Sequence, residues 1–215
     1  MNIRYTTFLF LAICLGLFSC RKEYRATEID LANYGWTLFD DGNYTESNQW
    51  FIESVLEDST YKDGYNGIGW SFGKMRDLDS SILYFERGLP YVQDENIVAN
   101  VKKEIIAGLC FVYNAQGEDS LAITWGDSLK LNWNENTIWS FSHDTTITHM
   151  DIYITMASSY FGIGDFVNSL EQMQLILNIF TPGAGNNFVP NINTVAGRVE
   201  LAGMIEDYQV VLNQP

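Results

Sequence analysis

The sequence predicts an all-α fold, a solenoid of antiparallel helix pairs closed by a capping helix, and three observations carry that expectation. The composition is that of a folded chain: 215 residues, 47% hydrophobic, with 17 Gly and only 4 Pro, which suits one domain or one short repeat array. The sequence also repeats itself at an offset of 34 residues, Gly35-Trp36 returning as Gly69-Trp70, Ser47 as Ser81, Phe51 as Phe85, Leu38 as Phe72, Asn43 as Asp77 and Ser54 as Gly88. Within each copy, apolar and small residues recur at helical spacing and break at Asp41-Gly42-Asn43 and again at Met75-Arg76-Asp77. Each copy therefore reads as a helix, a tight turn and a second helix.

The first element is a leader over residues 1–19. Arg4 supplies a positive start and Phe8 to Phe18 is an uninterrupted apolar run, whose rise of about 16 Å as a helix falls short of the roughly 30 Å of a bilayer core. That is the form of a secretory h-region. It ends in Leu17-Phe18-Ser19-Cys20, which resembles the bacterial lipobox, with Phe18 bulkier than the usual residue there. The resemblance implies lipidation at Cys20, a tether over residues 20–27 and a location in the cell envelope. Arg21 and Lys22 follow the cysteine with no Asp, which by the sorting pattern of such lipoproteins favours the outer membrane. Of the remaining cysteines Cys14 lies in the leader, and Cys110, within Ala107-Gly108-Leu109-Cys110-Phe111-Val112, reads as a small buried hydrophobe rather than a nucleophile.

The repeats follow over residues 28–60, 62–93, 95–131 and 150–180. The first two are expected to form helix pairs near Glu28–Asp40 with Tyr44–Glu57 and near Lys62–Lys74 with 77–89. Small residues at a crossing let two helix axes approach while large residues fill the groove beside them. Gly35 with Ser47 and Gly69 with Ser81 hold those positions, and Phe51 and Phe85 face the next repeat. The third copy is looser, with Gly117-Glu118-Asp119 as its turn and Ala122 at its crossing, and its first helix looks long. The fourth runs Tyr153, Met156, Ala157, Tyr160, then Gly164-Asp165-Phe166, then Ser169, Met173 and Ile176. This pattern resembles the tetratricopeptide repeat, Arg76 standing where the turn glycine is expected. The resemblance implies a right-handed solenoid with a concave, partner-binding face.

Residues 132–149 interrupt the register with Trp133, Trp139, Phe141 and His143-Asp144 among Asn, Thr and Ser. A short hairpin about the turn Ser142-His143-Asp144 is expected. Comparable insertions are similar to those of repeat lipoproteins of the Bacteroidetes type. His143, Asp144 and His149 make a weak metal signal; the favoured reading gives Asp144 to turn amides and His149 or Asp151 to a helix cap. The last element, over residues 194–212, opens at Thr194 as N-cap and carries Val195, Val199, Ala202, Ile205 and Val210, a capping helix for the array.

Charge and motif narrow the function. With 12 Lys and Arg against 27 Asp and Glu, a net charge of −15, the chain is repelled by phosphate backbones, so no nucleic acid is expected as partner. No phosphate loop or nucleophile elbow is present, so neither catalysis nor a cofactor nor a bound metal is expected. The family resemblance implies a membrane-tethered scaffold that holds a peptide or partner protein of the envelope; a glycan-capture lipoprotein, stacking sugars on exposed Trp and Tyr, is the alternative. The same resemblance turns the residue after each crossing glycine, and those one turn away, to the concave face. That gives Trp36, Phe39, Asn66, Trp70 and Lys74 as the candidate groove, unless the two indoles simply fill core space under the chain's own N- or C-terminal segment.

Overall fold

The computed structural model describes residues 25–92, 100–131 and 139–212; Cys20, Trp133 and the leader over residues 1–19 lie outside them. Four helix pairs follow one another: α1 (Glu28–Asp40) with α2 (Tyr44–Glu57), α3 (Lys62–Lys74) with α4 (Leu78–Gly88), α5 (Asn100–Gln116) with α6 (Asp119–Leu131), and α7 (His149–Gly162) with α8 (Phe166–Phe180). A 3-10 turn at Leu89–Val92 follows α4, and a hairpin of β1 (Ser140–Phe141) and β2 (Asp144–Thr148) precedes α7. A short α9 (Ala184–Asn187) and a long α10 (Val195–Leu212) complete the chain. From α1 to α9 successive helices pack on one another, and α10 packs back on α7 and α8, which is a helical solenoid.

Local chemistry sets the helix starts. Thr27 opens α1 with a reciprocal capping box: its Oγ1 accepts from the Asp30 amide at 3.2 Å and the Asp30 carboxylate accepts from the Thr27 amide at 3.0 Å. Thr148 and Asp151 repeat that arrangement at α7, so Asp151 rather than His149 takes the capping role. Asp77 and Asp165 cap α4 and α8 by accepting from the amides of Ser80 and Asn168, each at 3.2 Å. The turns inside the pairs share one backbone conformation. Gly42, Gly117 and Gly164 sit at φ of +77°, +81° and +82°, and Arg76 occupies the equivalent place at +63°, so the second repeat puts a side chain in the left-handed region where the others use glycine.

The crossings carry a hydrogen bond that the small-residue pattern does not announce. Ser47, Ser81 and Ser169 each donate from Oγ to the facing carbonyl of Gly35, Gly69 and Ala157, at 2.8, 2.8 and 2.7 Å. In the first two pairs, the phenylalanine of the second helix is gripped by two glycines. A Cβ on Gly35 or on Gly67 would lie 2.8 Å or 2.4 Å from the Phe51 ring, and one on Gly69 or Gly108 would lie 2.4 Å or 2.3 Å from the Phe85 ring. Phe51 and Phe85 are fully buried there.

The core has two parts joined through α7, whose Ile152 and Met156 pack toward the first three pairs while Ile154 and Ala157 pack toward α8 and α10. The capping helix differs in register from expectation. Thr194 does cap it, accepting from the Gly197 amide at 3.1 Å, but its buried stripe is Gly197, Leu201 and Ile205, and Val195, Val199 and Val210 are exposed. Its helix neighbours in the array are α7 and α8, and the stripe it buries against them is narrow. Cys110 is fully buried and its thiol is pushed up to about 12, chiefly by burial. No helix among the described residues is long and apolar enough to cross a membrane.

Candidate functional site

The first helices α1, α3 and α5 stand side by side along one face of the array, and the five candidate groove residues come from two of them. Trp36 and Phe39 project from α1; Asn66, Trp70 and Lys74 project from α3. All five meet the β1–β2 hairpin or its surroundings. The expectation of an open groove is therefore corrected: Trp36 and Trp70 are 4% and 6% exposed, and among the described residues the chain's own insertion covers them. Phe141 of the hairpin lies flat on Trp70, centroids 4.1 Å apart and planes 20° apart, and stands edge-on to Trp36 and Phe39 at 5.9 and 6.2 Å. His143 lies flat on Trp36 at 3.5 Å with the planes 3° apart. These contacts also remove Trp36 and Trp70 as exposed platforms for sugar rings.

Polar contacts pin the hairpin at both ends of its turn. Lys74 Nζ donates to Asp144 Oδ2 at 3.4 Å and lies 6.0 Å from the centre of the Phe39 ring. Asp144 Oδ1 accepts from the Thr146 amide and hydroxyl at 3.2 and 2.5 Å. Partial burial works against its charge, but the Thr146 bonds and the Lys74 cation hold its carboxyl below the usual range. On the other side, Glu104 of α5 accepts at Oε1 from the Ser142 amide and hydroxyl, at 3.2 and 2.5 Å.

Behind this turn lies a cluster of residues that no short spacing in the sequence announces. Asp63 of α3, Glu104 of α5 and His143 of the hairpin place one ligand atom each within 4.8 Å of one another. Trp36 Nε1–H donates to Asp63 Oδ2 at 2.9 Å. Asn66, fully buried, donates from Nδ2 to Glu104 Oε2 at 2.6 Å and to Asp63 Oδ1 at 3.3 Å. Burial pushes the Glu104 carboxyl above its ordinary value although Ser142 and Asn66 donate to it. Burial also lowers His143, against the pull of Asp63 and Asp40. Asp144 and His149 are not part of this group: Asp144 serves Lys74 and Thr146, and the His149 amide donates to the Trp139 carbonyl at 3.0 Å.

A register argument could have found two of the three. Gly69, Trp70 and Asp63 correspond to Cys110, Phe111 and Glu104 at an offset of 41, seven more than the repeat period. Asp63 and Glu104 are thus one repeat position, hidden by the longer connection ahead of α5.

Beside the hairpin a cavity of about 270 Å³ stays open between α3, α4 and α5. Trp70, Gly73, Leu78, Phe111 and Val112 line it, Ile147 of β2 forms a wall, and Lys74 and Asp151 stand among its lining residues. Trp70 Nε1 is buried without a hydrogen-bond partner.

No family model matches the sequence, and a comparison with curated proteins finds no match. Solved structures do resemble it. YrrB, described as a TPR protein with an unusual peptide-binding site, superposes with a TM-score of 0.61 over 89% of this chain and 92% of its own, at 16% identity. The chain has the tetratricopeptide-repeat fold. A protein of Podosopora anserina built of nearly identical TPR-like repeats superposes with a TM-score of 0.58 over 90% of this chain and 100% of its own, at 9% identity. In this chain the hairpin lies across the first helices of that fold.

Proposed function

We propose that this tetratricopeptide-fold protein is a non-catalytic scaffold of the cell envelope that binds an extended segment of a partner protein. The cavity beside Trp70 carries this reading. Its lining is largely apolar, and its volume of about 270 Å³ suits one large aliphatic or aromatic side chain of the bound segment. The net charge of −15 favours a segment with Lys or Arg on either side of its anchor residue. The peptide-binding neighbour YrrB agrees with a role of this kind.

The test is a series of fluorescent peptides carrying Leu, Phe or Ala between basic residues, titrated by anisotropy. Gly73→Leu is the informative variant. A Cβ there meets only Ser81 Oγ at 3.4 Å and Val112 at 3.9 Å, so the leucine grows into the cavity, and replacing a helical glycine does not harm the helix. Affinity for the Leu and Phe peptides should fall more than about tenfold, roughly 1.4 kcal/mol, with the helical circular dichroism unchanged. Equal affinity for the Ala peptide, or for the Gly73→Leu protein, would remove the cavity from the binding site.

The scaffold is further proposed to be held at the outer membrane by lipid on Cys20. Multiple acyl chains anchor firmly where one holds only marginally, so the native protein should partition into the detergent phase and Cys20→Ala into the aqueous phase. Recovery of the native protein in the aqueous phase contradicts the anchor.

A further inference from the structure

We propose that Asp63, Glu104 and His143, completed by the carboxamide of Asn66, bind one divalent cation of the zinc or manganese class and so fasten the hairpin to the concave face. The site is independent of the peptide-binding reading and rests on how its donors are prepared. Each carboxylate has one oxygen already engaged from outside: Asp63 Oδ2 accepts from Trp36 Nε1–H at 2.9 Å, and Glu104 Oε1 accepts twice from Ser142. The other oxygens, Asp63 Oδ1 and Glu104 Oε2, converge on one point, the Nδ2 of Asn66. His143 is held in plane by the Trp36 indole, 3.5 Å away and 3° from parallel. Outer partners that fix ligand orientation in this way are the usual companions of a metal site.

Asn66 supplies the second observation. It is fully exposed to neither solvent nor a donor: the residue is 0% exposed and its Oδ1 has no hydrogen-bond partner. Rotating the carboxamide by half a turn exchanges its nitrogen for that oxygen. Three oxygens and an imidazole nitrogen then surround one point, a set unfavourable for three oxygens alone and suited to a cation whose double charge two carboxylates balance. Donors at about 2.0–2.2 Å in a tetrahedral set stand about 3.4 Å apart, so the 4.8 Å limit on the present spacing requires a contraction of at most about 1.4 Å. Mixed imidazole and oxygen ligation favours zinc or manganese over calcium or magnesium.

The experiment uses chelator-stripped protein in equilibrium dialysis against Zn²⁺ or Mn²⁺, with metal content read by elemental analysis. The wild type and His149→Ala should retain about one cation per chain at saturation, the latter because it lies outside the cluster, and His143→Ala and Glu104→Gln should not. Trp36→Phe keeps a ring against His143 but loses the bond to Asp63, and should weaken binding about 10–100-fold. Asn66→Asp covers the case in which Glu104→Gln fails to fold: its metal-free form should melt below the wild type, and the cation should restore it. The proposal is overturned if the wild type holds no more metal than His143→Ala, since binding that ignores His143 belongs to the acidic surface, or if added cation leaves the melting of Asn66→Asp unchanged.

Discussion

Replacing Gly69 by Leu is expected to destabilise the protein by about 3 kcal/mol or more, at the upper end of what overpacking costs. Even the first added carbon would sit 2.4 Å from two atoms of the Phe85 ring. The ring has little room to shift, because Gly108 approaches its Cζ end so closely that a Cβ there would lie 2.3 Å away. Thermal or urea unfolding checks the size of the loss. Gly203→Ala is the control: nothing lies within 4 Å of its Cβ position in α10, so the change should stabilise by about 0.5–1 kcal/mol through helix propensity. A smaller ring partner separates clash from other causes. Gly69→Ala combined with Phe85→Leu should cost less than the sum of the two single changes, because shrinking the ring relieves the clash. Strict additivity, or wild-type melting of Gly69→Leu, would mean that the glycine does not set the spacing of α3 and α4.

The repeats were legible because packing of this kind leaves a mark at a fixed offset. A ring gripped by two glycines needs Gly35, Phe51 and Gly67 at set distances along the chain, and Gly69 and Phe85 repeat the first two of them 34 residues later. The hydroxyl bonds of Ser47, Ser81 and Ser169 to the crossing carbonyls were not legible, since size alone explains a small residue there. The orientation of Trp36, Phe39, Asn66, Trp70 and Lys74 toward one face followed from the same register, but what covers that face did not. Lys74 and Asp144 are 70 positions apart and Glu104 and Ser142 are 38 apart, and periodicity within a helix says nothing of a loop that returns from so far away. An indole that lines an open groove and one that lies under a hairpin have the same spacing. For the same reason His143 was weighed with its chain neighbours Asp144 and His149, whereas its spatial neighbours, Asp63 and Glu104, come from two different repeats.

Phe141→Ala is expected to release the hairpin while leaving the helical array folded. Phe141 is fully buried and its ring touches Trp70, Trp36, Phe39 and His143, so its removal forfeits about 3–5 kcal/mol of packing. That loss falls on a two-strand element whose own pairing is marginal without a surface to rest on. The helices, by contrast, keep their inter-pair contacts through Phe51 and Phe85. The observable is the indole N–H of Trp36, which is 4% exposed and bonded to Asp63. Its hydrogen exchange, followed by NMR, should accelerate by orders of magnitude, and far-ultraviolet circular dichroism should stay near the wild-type value. Asp144→Ala separates apolar from ionic attachment. It removes the partly exposed pair with Lys74, worth at most about 1 kcal/mol, and the turn bonds from Thr146, but leaves the stacked rings in place, so Trp36 should stay protected in that variant. Protection lost in Asp144→Ala and kept in Phe141→Ala would reverse the assignment, making the ion pair rather than the stacked rings what holds the insertion against the concave face.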